Sequence, residues 1–343
     1  MTETETTNLK FCLLNAENLF LLFDAPPTAE TLKLNERQWQ GQSTSVYENK
    51  SLKKCEDIAK ALIEINADII MLCEVGGFES LKNFNHLFMN DTYSPCLIEG
   101  NSDRNIDVGF LIRKGLPFYF DVLSNKARPI NYLYPHERLS LANGYPVKGG
   151  KVTSSHKFSR DVVELRLFTK DKEKPFFITL LTHLKSRLDP ERIDPNGFER
   201  RQAELLTLLE IYRELEEKNP QTPIIVAGDF NGNAGKVNTD EEFKEIYTTT
   251  ELKDVFEVAG LTPEQRATFY QVKSSARTEG RQIDFVFLSP ITQSLLKPQS
   301  AKAFRYRDEF GSERSVPQTM EAKGRIPSDH YPIVFEIENI KLG

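Results

Sequence analysis

Cysteine is scarce: four residues in a chain of 343, with no spacing that suits a thiolate metal site. Cys12, Cys55 and Cys73 lie in apolar runs and read as small core residues in a reducing compartment. No apolar run approaches the roughly 20 residues that span a bilayer. The start, Met1 to Thr7, is acidic and polar, without the basic and apolar regions of a secretory signal. A cytoplasmic protein with no membrane segment is the expectation, with a monomer as the default state. Positive charge is also short. Lys and Arg total 44 against 50 Asp and Glu, a net charge of −6, which argues against a broad nucleic-acid-coating surface but leaves room for a local basic groove. There is no internal repeat at solenoid spacing and no low-complexity linker.

What is present describes a globular chain. Apolar residues make up 39% and charged residues 27%, enough to bury a sizeable core. Residues 1–7 read as a polar tail and 8–343 as one α/β domain. Strand signals fall on Leu9–Leu14, Ile69–Cys73, Ile106–Ile112, Tyr119–Leu123, Val162–Phe168, Phe176–Leu181, Ile224–Ala227, Phe285–Leu288 and Tyr331–Ile337. Helical spacing links Leu52, Cys55, Ile58, Ala59, Leu62 and Ile65. It recurs from Phe78 to Asn90, and from Phe198 through Leu205, Leu208, Leu209 and Tyr212 to Leu215. Residues 24–49, with the single tryptophan Trp39, read as a polar excursion. Residues 125–158, carrying Lys148, Lys151 and Lys157, read as a long loop. Lys170 to Lys174 reads as a charged hairpin turn, and Leu252 to Val258 as a short strand or turn.

The centre of the pattern is Pro223 to Asn231. A buried strand runs into Gly228, which permits a close backbone approach, and Asp229 and Asn231 follow. Alone, this is an Asx-rich turn closing a strand. The same ending recurs, however: Asn15, Glu74, His183, Asp284, Asp329 and His330 also flank strands. Each has a dull explanation as a rim or turn residue. Together the acids, amides and imidazoles suit phosphate ester cleavage, which needs a hard cation on oxygen ligands, a base for water and donors for the developing charge. Few cysteines and several carboxylates point to Mg²⁺ or Mn²⁺ rather than zinc.

The chain resembles the endonuclease/exonuclease/phosphatase superfamily, whose nuclease members include pancreatic-type deoxyribonucleases. The matching segments are Leu14–Asn18, Leu72–Val75, Thr182–Leu184, Gly228–Asn231, Gln282–Phe285 and Ser328–Pro332, in the family's order. The start from Asn15 to Phe20 is similar to bacterial-type members of undefined substrate. The resemblance implies a four-layer sandwich, two mostly antiparallel sheets face to face with helices outside, and a site at one end of the sheets. It also implies roles. Glu74 binds the divalent metal with Asn15 and Asp329 near it; His330, oriented by Asp284, is the general base or phosphate partner. Asp229 and Asn231 position water and phosphate, with the His330 and Asp229 roles open to exchange. His183 stabilises the phosphorane or protonates the leaving oxygen. Arg160, in Phe158-Ser159-Arg160, resembles a deoxyribonuclease arginine that touches substrate phosphate. Glu17 is either an extra ligand or a turn residue.

Three functions compete: a metal-dependent nuclease on DNA or RNA, a phosphatase or phosphodiesterase on a small molecule or lipid headgroup, and a non-catalytic module keeping the fold. The full polar set disfavours the third. Basic residues near the strand ends (Arg160, Lys185, Arg187, Arg192) favour the first. Lys302, Arg305 and Arg307 alternate with Phe304 and Tyr306, either as a phosphate-tracking strip or as a solvated loop.

Overall fold

Successive side chains of a strand point to opposite faces, and in the central strands both faces are apolar because both are covered. In the first strand Phe11 and Leu13 join one buried cluster while Cys12 and Leu14 join another. The computed structural model describes residues 5–143, 155–169, 174–273 and 277–342. Its strands are β1 (Thr6–Leu19), β2 (Ile69–Val75), β3 (Tyr93–Leu97), β4 (Asp107–Arg113), β5 (Tyr119–Ser124), β6 (Val162–Phe168), β7 (Phe177–His183), β8 (Ile224–Asp229), β9 (Lys253–Asp254), β10 (Phe269–Val272), β11 (Thr278–Arg281), β12 (Asp284–Leu288), β13 (Lys302–Ala303) and β14 (Ile333–Lys341). One six-stranded sheet runs β13-β14-β1-β2-β4-β3 and the other β5-β6-β7-β8-β12-β9, with β10-β11 as a separate hairpin.

The apolar inner faces of the two sheets meet in one cluster, where Phe11 stacks on Phe177 at 5.3 Å. The helices Leu52–Ile65 and Gly77–Phe88 cover the outside of the first sheet. The helix Phe198–Lys218 covers the second. This is the expected four-layer sandwich. Each sheet holds one parallel pair, β1/β2 and β7/β8, and its other pairings are antiparallel. Parallel neighbours need a long crossover, which the 52–65 and 198–218 helices provide. The C-terminal ends of both parallel pairs lie at one edge of the sandwich, and the antiparallel neighbours β12 and β14 begin there. No helix among the described residues is long and apolar enough to cross a membrane.

Several expectations are corrected. β1 does not stop at Leu14. It continues to Leu19 through an irregularity between Asn15 and Leu19, so Asn15 lies inside the strand. It also begins at Thr6, within the segment read as a tail. Trp39 is fully buried in the 24–49 excursion, its indole donating to Lys50 O. The 125–158 segment contains a helix, Pro135–Ala142, while Lys148 and Lys151 lie outside the described residues, as do 170–173 of the charged turn. Leu252 to Val258 is both a two-residue strand and a short helix. In the 302–307 strip the aromatics face inward rather than outward: Phe304 and Tyr306 are buried, Arg305 stacks on the Tyr270 and Tyr331 rings, and Lys302 is exposed. β3 and the β10–β11 hairpin had not been anticipated.

Candidate active site

Asp229 is the last residue of β8, and register sets its neighbours. It pairs with His183 on β7 and with Asp284 on β12. Gly228 makes that arrangement possible. Its φ is +152°, and a Cβ there would sit 1.9 Å from Thr182 O. The first sheet then closes over this end. Asn15 Nδ2 donates to Asp229 Oδ2 at 2.9 Å. His183 Nε2 lies 3.6 Å from the same oxygen and His330 Nε2 4.0 Å. Asp229 Oδ1 accepts the Asn231 backbone N–H at 2.8 Å. Burial, and then Asp284, push the Asp229 carboxyl up to about 7. One buried carboxylate is therefore the hub, with two histidines and an asparagine converging on it.

His330 and Asp284 meet, with Nδ1 2.8 Å from Oδ2. Their strands do not pair: β12 and β14 belong to opposite sheets, and the two side chains close the gap between them. Burial alone would lower the His330 pKa, but Asp284 overrides it and holds the imidazole well above its ordinary value. Ser328 fixes the approach, since its hydroxyl donates to Asn15 O at 2.7 Å and accepts the His330 N–H at 3.1 Å. His183 has the opposite surroundings. It is 3% exposed, its Nδ1 has no partner, and burial with Arg160 nearby holds its pKa well below the ordinary value.

Glu74 sits at an irregularity in β2 with φ +59°. A left-handed backbone is costly for glutamate and is kept only where the surroundings enforce it. Its Oε2 accepts the N–H of Asn18 at 3.0 Å, and Glu17 and Asn18 are also left-handed. Asp329 Oδ2 lies 3.2 Å from Lys323 Nζ and its Oδ1 3.7 Å from His330 Nε2. Burial would raise the Asp329 pKa, but His330 and Lys323 bring it below the usual range, so the carboxylate stays charged. Arg160 is buried with its Nε unpartnered, and Nη1 reaches Leu184 O at 3.3 Å. The Asn231 side-chain amide donates to Leu184 O at 3.0 Å, so this residue steadies the loop and reaches Asp229 through its backbone.

A hard dication needs oxygen donors. Glu74 and Asp329 supply carboxylates, and the Asn15 amide oxygen already accepts the Glu17 N–H at 2.9 Å. Asp229, Asp284 and His330 offer ligand atoms that all lie within 4.8 Å of one another, and Asp284 Oδ1 is buried without a partner. Glu17 lies in the irregular part of β1, and its carboxylate is committed to lysines, 3.0 Å from Lys54 Nζ and 3.4 Å from the buried Lys50 Nζ.

Sequence reasoning missed two features. Phe269 packs on the His330 ring at 5.3 Å, with the Lys323 ammonium over its face. The alternation in Phe269-Tyr270-Gln271-Val272 was a legible strand signal. The Lys50–Glu17 contact carries no local signature.

No family model matches the sequence, and no curated protein matches it. Solved structures do. The human nocturnin catalytic domain with bound sulfate superposes with a TM-score of 0.56 at 17% identity, covering 97% of this chain and 95% of that one. A D. rerio TDP2 complexed with single-strand DNA product gives 0.55 at 14%, covering 96% and 98%. An endonuclease/exonuclease/phosphatase family protein from Bacteroides thetaiotaomicron gives 0.52 at 17%, covering 99% and 100%. The fold of this chain is that of the endonuclease/exonuclease/phosphatase superfamily.

Proposed function

We propose that this protein is a divalent-metal-dependent phosphoesterase that hydrolyses phosphodiesters of DNA or RNA. The observation that carries the reading is the convergence of Asn15, His183 and His330 on one oxygen of buried Asp229, at the edge where both sheets end. Glu74, with Asp329 and Asn15, would hold Mg²⁺ or Mn²⁺, which when bound would neutralise phosphate charge. Asp229, pushed up to about 7, is matched to take a proton from water near neutral pH, where a general base works best. His330, kept charged by Asp284, donates from Nε2 to a phosphate oxygen as negative charge builds there. The water oxygen bonds to phosphorus, the leaving oxygen departs with the electron pair of the broken P–O bond, neutral His183 hydrogen-bonds to it, and it takes a proton from solvent as Asp229 returns to solvent the one it took from the water. Asn231 and Asn15 hold Asp229 in place, and Arg160 binds the phosphate. The nucleic-acid substrate is favoured by basic residues beside the site and by the TDP2 neighbour, which was solved with single-strand DNA product.

The test is a panel of duplex DNA, single-stranded DNA, RNA and bis(p-nitrophenyl) phosphate, assayed with Mg²⁺, with Mn²⁺ and with EDTA. Metal-dependent cleavage of a nucleic acid, lost in Asp229→Asn, is expected. Undiminished turnover in EDTA would remove the metal, and turnover confined to small esters would remove the polynucleotide.

A further inference from the structure

Next to the catalytic cluster lies a cavity of about 380 Å³ between the 101–104 turn, the Ser159–Arg160 segment, the loop after β7 and the start of the 198–218 helix. Four cations line it: Arg104, Arg160, Lys185 and Arg200. In a chain of net charge −6, that convergence needs a reason, because like charges close together repel.

The acids of the wall are largely committed elsewhere. Asp194 spends both oxygens on the N–H groups of Glu199 and Arg200, each at 3.0 Å. Asp189 accepts from the N–H groups of Ile193 and Asp194. Glu204, behind the wall, accepts the Ser159 and Lys185 N–H groups at 2.7 Å and lies 3.5 Å from Arg200 Nε. Asp103 and Glu191 stand on the exposed rim. The cations retain free donors. Lys185 Nζ reaches only the carbonyls of Ser186 and Leu188. Arg200 donates to Tyr134 Oη at 3.3 Å and Lys157 O at 3.2 Å, and Arg160 Nε has no partner. Burial lowers the Lys185 pKa and Arg160 and Arg200 lower it further, while Glu204 and Asp194 raise it, so cations and acids share one electrostatic space in which the lowering prevails. Leu188 and Pro190 add an apolar lip. The volume lies at the small end of small-ligand pockets, about 300–1,000 Å³, which suits one nucleotide unit rather than a duplex.

We propose that this cavity is a second phosphate subsite, taking the phosphate next along a single-stranded polynucleotide from the one that is cleaved, with Lys185 and Arg200 as its principal charges. The proposal rests on the phosphoesterase reading above for its substrate. Its first test needs no catalysis. Binding of a fluorescent thymidine hexanucleotide is measured by anisotropy in EDTA, against rising salt, for the wild type, Lys185→Gln and Arg200→Gln. Each variant should bind about tenfold more weakly, and its log–log salt slope should fall by about 0.7 for the lost phosphate contact. Unchanged affinity and slope overturn the subsite. Adenosine 3′,5′-bisphosphate should displace the hexanucleotide better than AMP; binding of the bisphosphate, followed by calorimetry, without binding of the hexanucleotide would overturn the polymer and leave a small bisphosphate as the ligand. In the kinetic arm with Mg²⁺, kcat/KM should fall at least about tenfold more on the hexanucleotide than on bis(p-nitrophenyl) phosphate, which has only one phosphate. Equal losses on both, or melting temperatures that fall with affinity, assign these residues a structural role instead. If the wild type cleaves nothing with either metal, the phosphoesterase reading fails while the binding arm still reports on the cavity.

Discussion

The two buried histidines of the site approach the same Asp229 oxygen, at 3.6 and 4.0 Å, yet they are pushed in opposite directions. His183, carried by β7 of the second sheet, has no partner on Nδ1 and Arg160 for a neighbour, so it stays neutral. His330, entering from the first sheet, has Asp284 behind it and stays charged. Burial is alike at the two positions and opposes the charge of both. What differs is the group behind the ring. A single carboxylate from the opposite sheet converts one histidine into a cation and leaves the other a neutral donor or acceptor.

The sharpest way to break this comparison is to remove the group behind His330. Asp284→Ala and His330→Ala should each cost about 10²–10⁴ in kcat, the range of a positioned acid–base group. The double variant should lose little more, because groups acting as a unit are not additive. Losses that multiply would separate the pair. Next comes the metal: Glu74→Gln should raise the Mg²⁺ needed for half-maximal activity by at least about tenfold, and direct Mn²⁺ binding followed by electron paramagnetic resonance should weaken alongside. An unchanged Mn²⁺ affinity would move the ion to the Asp229–Asp284–His330 grouping. His183→Gln, which removes the uncharged partner, should cost about 10²-fold and leave the acid limb of the pH–rate profile in place, since that limb belongs to Asp229. Arg160→Ala should raise KM about tenfold with Mn²⁺ affinity unchanged.

The smallest effect comes from a control far from the comparison. Asp254 is buried like Asp229 and pushed up to about 7, by burial first, but its hydrogen bonds come from the Gln282 amide, at 3.0 Å, and the Phe256 N–H rather than from a histidine. A carboxyl whose folded pKa is raised is favoured protonated in the fold, so stability drains away as pH rises from the ordinary aspartate value of 3.8 through about 7. Asp254→Asn should therefore raise the melting temperature by about 2 °C or more at alkaline pH, and by less at acid pH. An equal gain at both would show that Asp254 does not titrate in that window.

The residues of the candidate site were legible in the sequence because each flanks an apolar run: Glu74 after Ile69–Cys73, Asp229 after Ile224–Ala227, Asp284 before Phe285–Leu288. Ends of strands show in composition. Partners across the sandwich do not. Nothing local says that Asp284 and His330 lie on opposite sheets, or that Asn15 donates to Asp229 across a sequence separation of 214, because such contacts depend on how the inner faces pack. The same limit explains the 302–307 segment. Its alternating charges and aromatics fit an exposed strip equally well until Tyr270 and Tyr331 supply faces for Arg305. Backbone strain was equally hidden: the left-handed turn at Glu17, Asn18 and Glu74 follows from β1 and β2 losing register beside each other.

The claim that the group behind each ring sets its charge is tested most directly by titrating the imidazoles themselves. The chain has five histidines, so nitrogen-15 spectra of the rings can be assigned with His183→Gln and His330→Gln variants. At about pH 6.5, where an unperturbed imidazole is half protonated, the His330 ring should carry both protons and the His183 ring only one. In Asp284→Asn the His330 signal should move toward the neutral form. Two rings titrating together near that pH, or a His330 signal indifferent to Asp284→Asn, would contradict the account.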